Sequence, residues 1–318
     1  MNICVIGSCD LMIDCIKILK KYKINVLVVL SKRHSQTKLS NYKDYPQNIL
    51  NKLNINHYIC NNINSNINII NKIKKFKAER VFCFGSAWIF KKKILKLTKK
   101  TFLNFNPIPI PLYFGGAHYT WQILTKNKDS GLFVQEVSTN VDKGDILFIK
   151  KKKNFVKLNK PIDYFRLNRN FQKNAFSEFF KKFINNYKFK KNLFTKFDKY
   201  REYYPRLNTV KDALINWDWK GSDIETFCNA FDDPYPGAQS IIGKIKVGLK
   251  KVKLFKKKNI HPFLYGLIFR VYKNKIFIFC KDGYLIISEI YDKNSKKIDV
   301  NYFKEGQKFT NKIFYKNS

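Results

Sequence analysis

The sequence predicts an α/β protein in two parts, a parallel-sheet domain over residues 1–205 and a small antiparallel β-barrel-like domain over 206–318. Two patterns predict it. Early apolar runs are continuous rather than alternating and are separated by helix-period segments, as in a parallel sheet covered on both faces. Late in the chain, short β-rich runs follow one another between turns containing Lys, Gly and Asn. The chain has 318 residues, 45% apolar and 16% aromatic, which is enough for two cores and excludes intrinsic disorder.

Each element has a local reason. Asn2 to Gly7 reads as a buried strand, and the helix after it places Leu11, Cys15, Ile18 and Leu19 at three- and four-residue spacing. Residues 24–31 read as a second buried strand. The pattern repeats through a helix over 65–76 and strands over 80–85 and 101–105. Gly7 stands in the first turn without a Gly-x-Gly-x-x-Gly, so the usual dinucleotide fingerprint is absent. Over 161–187, Ala175, Phe176, Phe179, Phe180, Phe183 and Ile184 form an apolar helical stripe suited to core packing. Ser222 and Glu225 have the spacing of a capping box, predicting a short helix to Phe231 that ends in the turn Asp233-Pro234-Tyr235-Pro236-Gly237. Strands are expected near 239–247, 264–272, 275–280 and 284–290.

Composition narrows the function. The formal charge is +39, carried by 55 Lys and only 7 Arg among heavy use of Asn, Ile, Phe and Tyr. That mixture is what an AT-rich genome produces, whereas specific phosphate or base recognition favours the planar Arg fork. The positive field still attracts anionic small substrates. The seven cysteines are scattered with no Cys-x-x-Cys pair, which argues against a disulfide framework or a zinc site and fits a reducing cytoplasm. No window approaches the roughly 20 apolar residues of a membrane span, and the N-terminus opens as a strand rather than an export signal, so a cytoplasmic protein without membrane association is expected.

Ligands of open α/β sheets sit outside the carboxyl ends of the strands. There the chain reads Phe84-Gly85-Ser86-Ala87-Trp88, then Asn104-Phe105-Asn106-Pro107, later Gly115-Gly116, and after a further strand Val141-Asp142-Lys143-Gly144-Asp145-Ile146-Leu147. Each segment alone reads as turn-forming residues; their order and spacing are more specific.

In that order the chain resembles the formyltransferase superfamily over nearly its whole length. The family places Asn-x-His-Pro, then Leu-Pro-x-x-x-Gly, then Asp-x-Gly-Asp-Ile-Leu around its active site on a Rossmann-like sheet. Asn104, Pro107, Pro111, Gly115 and Asp142 match these positions. Arg206-Leu207-Asn208, Ile215-Asn216-Trp217-Asp218-Trp219 and the stretch Ala230 to Ala238 resemble the family's passage into its C-terminal barrel.

The resemblance implies 10-formyltetrahydrofolate as formyl donor and catalytic roles for Asn104, the residue at 106 and Asp142. The family's His falls at Asn106 here. An Asn amide can donate to an oxyanion but cannot relay a proton near neutrality, so transfer is expected to be slow, altered or silent unless another group such as His118 serves as base. By the same resemblance the pterin would lie against Phe84, Gly85, Ser86, Ala87 and Trp88 and the loop Ser138, Thr139, Asn140 and Val141, largely through backbone groups. Tyr113, Tyr119 and Trp121 are candidates for stacking on a substrate base. For the acceptor, Ser31 to Asn48 has a mixed, Tyr-containing composition, unlike the basic loop of methionyl-tRNA formyltransferases. The stretches 40–45 and 62–65 look more like the sugar-formyltransferase branch, so a nucleotide-linked amino sugar is the expected acceptor, with tRNA as the alternative.

Overall fold

The computed structural model describes residues 1–109, 114–116, 118–154, 156, 158–190, 199–200 and 202–311, with the backbone alone at His118. These pack as two compact units. The first comprises Met1–Phe114, Asp129–Asn154 and Phe165–Tyr203; the second comprises Gly115–Lys128, Phe155–Tyr164 and Tyr204–Ser318. Two segments within the predicted 1–205 domain, 115–128 and 155–164, therefore group with the second unit.

In the first unit, strands β1 (Asn2–Gly7), β2 (Asn25–Ser31), β3 (Asn56–Cys60), β4 (Arg80–Phe84) and β5 (Leu103–Asn106) lie in the order β3-β2-β1-β4-β5 and run parallel. A two-residue strand β6 (Phe114–Gly115) follows β5 in the chain. The sheet then continues with β7 (Ser130–Glu136), antiparallel to β5, and β8 (Ile146–Lys152), antiparallel to β7. Helices α1 (Asp10–Lys21), α2 (Lys32–Ser35), α3 (Pro46–Lys52), α4 (Ile67–Lys75) and α5 (Lys92–Leu95) connect the parallel strands. The expected Rossmann-like sheet is present, with strand and helix ends within a few residues of the expected ones.

Strand alternation divides the core. Val5, Phe82, Phe84, Leu103, Phe105 and Val134 pack in one cluster with α1 and with Ala175, Phe176, Phe179 and Phe180 of α7 (Pro161–Ile184). The α7 stripe is thus core, as its spacing predicts. Phe84 and Phe105 stack at 4.7 Å, and Phe82 meets Phe105 edge-on at 4.9 Å. On the opposite face Cys4, Ile6, Val81, Cys83 and Phe102 pack with Ile69, Ile70 and Ile73 of α4 and Ile94 of α5.

The short strand β9 (Tyr203–Tyr204) stands where the chain passes from the first unit to the second, and the second unit contains α6 (His118–Leu124), α8 (Thr209–Asp212) and α9 (Gly221–Ala230). Its sheet is formed by β10 (Ala238–Ile242), β11 (Ile245–Lys256), β12 (Ile268–Tyr272), β13 (Lys275–Cys280), β14 (Gly283–Tyr291), β15 (Lys297–Ile298) and β16 (Phe309–Thr310). The strands run β12-β13-β14-β11-β10-β16, with β15 on β14. A bridge between Leu267 and Lys308 brings the two ends of this path together, which makes the sheet barrel-like.

The expected single strand over 239–247 is instead a hairpin, because Gly243 adopts the left-handed region (φ 59) between β10 and β11. The capping box also fails. Helix α9 begins at Gly221, whose N–H donates to the Asp282 carboxylate, and Ser222 lies inside the helix. Glu225 accepts from the Leu254 N–H at 3.1 Å, so both anticipated capping partners serve the tertiary structure. Among the described residues no helix is long and apolar enough to cross a membrane.

Candidate active site

The alternation of β5 decides which of its side chains are available. Leu103 and Phe105 are 1% exposed in the core beneath α7, whereas Asn104 and Asn106 point to the other face and are half-buried. Cys83 and Phe102 close the apolar cluster on that face, and the two asparagines follow. The Asn104 Nδ2 donates to Asn106 Oδ1 at 3.1 Å. This bond uses one of the two Asn104 amide hydrogens and neither of those on Asn106.

The turn after β4 is shaped by glycine. At Gly7 (φ 129) a Cβ would lie 2.0 Å from the Phe84 carbonyl oxygen, and the Ser8 N–H donates to that same oxygen at 3.0 Å. Only a residue without a side chain lets the end of β1 approach β4 this closely. Gly85 (φ 59) then turns the chain. Ser86 Oγ both accepts from the Trp88 N–H and donates to the Trp88 carbonyl, each at 3.2 Å, while the Trp88 indole N–H donates to the Asn61 carbonyl at 2.8 Å. Asn64 donates to the Ile89 carbonyl at 3.0 Å and accepts from the Lys91 N–H at 2.9 Å. The proposed pterin segment 84–88 is therefore tied at its far end to the 61–64 turn, a connection the sequence alone does not show.

The third segment follows β7. Asn104 pairs across the sheet with Gln135, so their side chains share a face. Gln135 is 2% exposed, and its Nε2 donates to the carbonyls of Asp142 at 3.0 Å and Gly144 at 2.8 Å. Asp142 adopts φ 55, and a Cβ at Gly144 would lie 1.7 Å from the Glu136 carbonyl oxygen. The Glu136 N–H donates to the Asp145 carbonyl at 2.8 Å, and Ser138 Oγ donates to the Asn140 carbonyl at 2.7 Å. Thr139, Asn140 and Val141 are exposed. Trp88 and Val137 pack on the same apolar cluster, so the 84–88 and 138–142 segments adjoin one part of the core. Gln172 on α7 adds a further hold, donating to the Pro107 carbonyl at 3.3 Å just past Asn106.

The remaining candidates behave differently. Tyr113 and Pro111 lie outside the described residues, as does the side chain of His118. Tyr119 is 8% exposed, and its ring packs at 5.5 Å on Tyr164, so it is a core residue with no open face for stacking on a base. The Trp121 indole N–H donates to the Pro205 carbonyl at 2.9 Å, and its ring meets Tyr204 at 5.1 Å. In the second unit Trp121 also lines a cavity of about 420 Å³ with Trp219 and Phe227. All seven cysteines are free, and among the described residues no three His, Cys, Asp or Glu are grouped to hold a metal.

Known proteins resemble this chain over both of its parts. The family model "Formyl transferase" matches residues 1–160, and "Formyl transferase, C-terminal domain" matches 208–308. The methionyl-tRNA formyltransferase of Prochlorococcus marinus subsp. pastoris is 25% identical over 291 residues, covering 87% of this chain and 85% of the relative. That of Clostridium beijerinckii is 21% identical over 98% of this chain and 99% of its own. Among solved structures, the N-formyltransferase from Helicobacter canadensis in complex with folinic acid and dTDP-3-aminofucose superposes with a TM-score of 0.63. It is 17% identical, covering 91% of this chain and 99% of that one. With both family domains matched in order along it, the chain belongs to the formyl transferase family.

Proposed function

We propose that this protein transfers the formyl group of 10-formyltetrahydrofolate to the primary amine of a nucleotide-linked amino sugar. The observation that carries the choice of acceptor is the packing of the segment after β2. The Asn41 N–H donates to Asp10 at 3.0 Å, and the Tyr42 hydroxyl donates to Asp14 at 2.7 Å. Arg169 holds the same Asp14 through two bonds of 2.9 and 3.0 Å, its guanidinium lying 4.9 Å from the Tyr42 ring. Leu39 is buried. A segment committed in this way to α1 and α7 is poorly suited to reach into an RNA helix. The likeness to a solved enzyme bound to a dTDP-amino sugar supports the same acceptor.

The donor fits the residues present. Segments 84–88 and 138–142 present backbone groups beside one core cluster, and a Cβ at Gly85 would meet nothing nearer than the Ser8 carbonyl oxygen at 3.9 Å. In the reaction the acceptor nitrogen forms a bond to the formyl carbon, the bond from that carbon to the folate N10 breaks, and one proton passes from the amine to N10. Asn104 and Asn106 supply a neutral oxyanion hole, and the amine proton reaches N10 by way of water and the Asp142 carboxylate, which is left unchanged. This route requires an acceptor amine already unprotonated near neutrality, which a sugar amine of lower pKa than Lys satisfies.

A second reading is a methionyl-tRNA acceptor, favoured by the full-length correspondence with the Clostridium beijerinckii relative. A panel assay with 10-formyltetrahydrofolate separates the two. Formylation of dTDP- or UDP-amino sugars with no response to methionyl-tRNA is expected. Turnover of methionyl-tRNA alone, with binding that weakens steeply as salt rises, would transfer the assignment to the second reading.

A further inference from the structure

We propose that the amino edge of the first sheet carries a second binding site, independent of the formyl-transfer site, for a small aromatic anion: a planar ring bearing a carboxylate or a phosphate. A cavity of about 510 Å³, in the range of small-molecule sites, opens where β4 begins, at the opposite end of that strand from the Gly85 turn. Tyr22, Phe183, Tyr187 and Phe189 give it aromatic walls, and Arg80 and Lys100 give it two cations.

Arg80 defines the ligand chemistry. As the first residue of β4 it shares the α7 side of the sheet with Phe82, and its guanidinium lies 5.4 Å from the Phe183 ring. One terminal nitrogen, Nη1, donates to the Thr101 carbonyl at 3.2 Å, but Nε is buried with no hydrogen-bond partner. A buried unsatisfied donor is costly, more so on a charged group. With Nε enclosed and Nη1 engaged, Nη2 is the terminal nitrogen left to give a carboxylate or phosphate oxygen a charge-assisted hydrogen bond.

The carboxylates facing Arg80 do not fill that role. Glu79, which lines the cavity, accepts from the Asn2 N–H at 3.1 Å and faces the terminal amine at 3.9 Å. Glu136 favours the charged guanidinium through space, while burial disfavours it and lowers its pKa. The aromatic half of the ligand follows from the walls. Phe189 stacks on Phe179 at 5.1 Å and meets Tyr187 edge-on at 5.2 Å, and Tyr187 is 55% exposed, leaving ring surface open to a planar guest.

The test uses the full chain with four probes: 4-hydroxybenzoate, AMP, inorganic phosphate and adenosine, read by thermal shift and calorimetry. Both aromatic anions are expected to bind, and phosphate and adenosine at least about tenfold more weakly, since each lacks half of the recognition. Binding by 4-hydroxybenzoate alone would identify a carboxylate ligand, and by AMP alone a nucleotide. Arg80→Met removes the guanidinium while keeping an unbranched side chain, and is expected to weaken the aromatic anions at least about tenfold while leaving adenosine unchanged. Should that variant not fold, Lys100→Met and Tyr187→Ala probe the same walls with Arg80 in place, each expected to weaken binding several-fold. Absence of stabilisation by either aromatic anion at about 10 mM would overturn the proposal, as would affinity unchanged across the variants.

Discussion

Strands β1 and β5 lie in the same parallel sheet, one strand apart, and have opposite uses. Every residue of β1 from Ile3 to Ile6 is 0% exposed, so both its faces are closed by helices. In β5 only Leu103 and Phe105 are closed; Asn104 and Asn106 face the other way, beyond the last apolar residues of that face. The difference shows where chemistry can reside in such a sheet. A strand covered on both sides has no side chain to spare, whereas one covered on a single side contributes half its residues to the core and offers the other half to a ligand.

The largest effect should come from the closed half. Phe82→Ala is expected to cost about 3–5 kcal/mol in denaturant unfolding, because the ring packs on Phe105, Phe176 and Phe180. Asn104→Ala should reverse the balance, lowering kcat by about 10² to 10³ through loss of an oxyanion donor while the melting temperature stays close to the native one. An equal loss of stability in both variants would erase the distinction between the strands. Asn106→His is expected to raise formyl transfer at least about tenfold by restoring a positioned proton carrier. High native activity with no gain would point to another base, His118 being first to replace.

Gln135→Leu sharpens the comparison one strand further out. Without the two bonds to the carbonyls of Asp142 and Gly144, kcat should fall about tenfold and amide exchange over 138–145 should speed up. Unchanged exchange would mean that the loop holds itself. The smallest effect at neutral pH belongs to Cys4 on β1, whose thiol is pushed by burial from 9.0 up to about 12. A thiol with a raised folded-state pKa keeps its proton while the unfolded chain loses one, so stability should decline as pH rises from about 9 to about 12. Cys4→Ala should make that decline shallower in melting-temperature measurements, the other buried thiols keeping their share; an identical slope would leave Cys4 no part in it.

Much of this was written locally. Continuous apolar runs announce the parallel strands, the α7 stripe announces its core, and the order Asn104, Pro107, Asp142 announces the family, because each is a pattern of neighbours in sequence. The hairpin at Gly243 and the failed capping box at Ser222 were not legible in the same way. In the second case Asp282 and Leu254, distant in the chain, hold the groups that a local cap would have used.

The sequence by itself therefore determined the fold class and the family. Tertiary structure alone decided that Gln135 stands opposite Asn104 and clamps the Asp142 loop, that Asn64 fastens the turn after β4, and that Tyr119 is core rather than binding surface. The physical reason is that periodicity and spacing record which face a residue takes on its own element. Which partner waits on that face is set by strand register and helix packing between distant segments, and one residue of register moves every side chain to the other side.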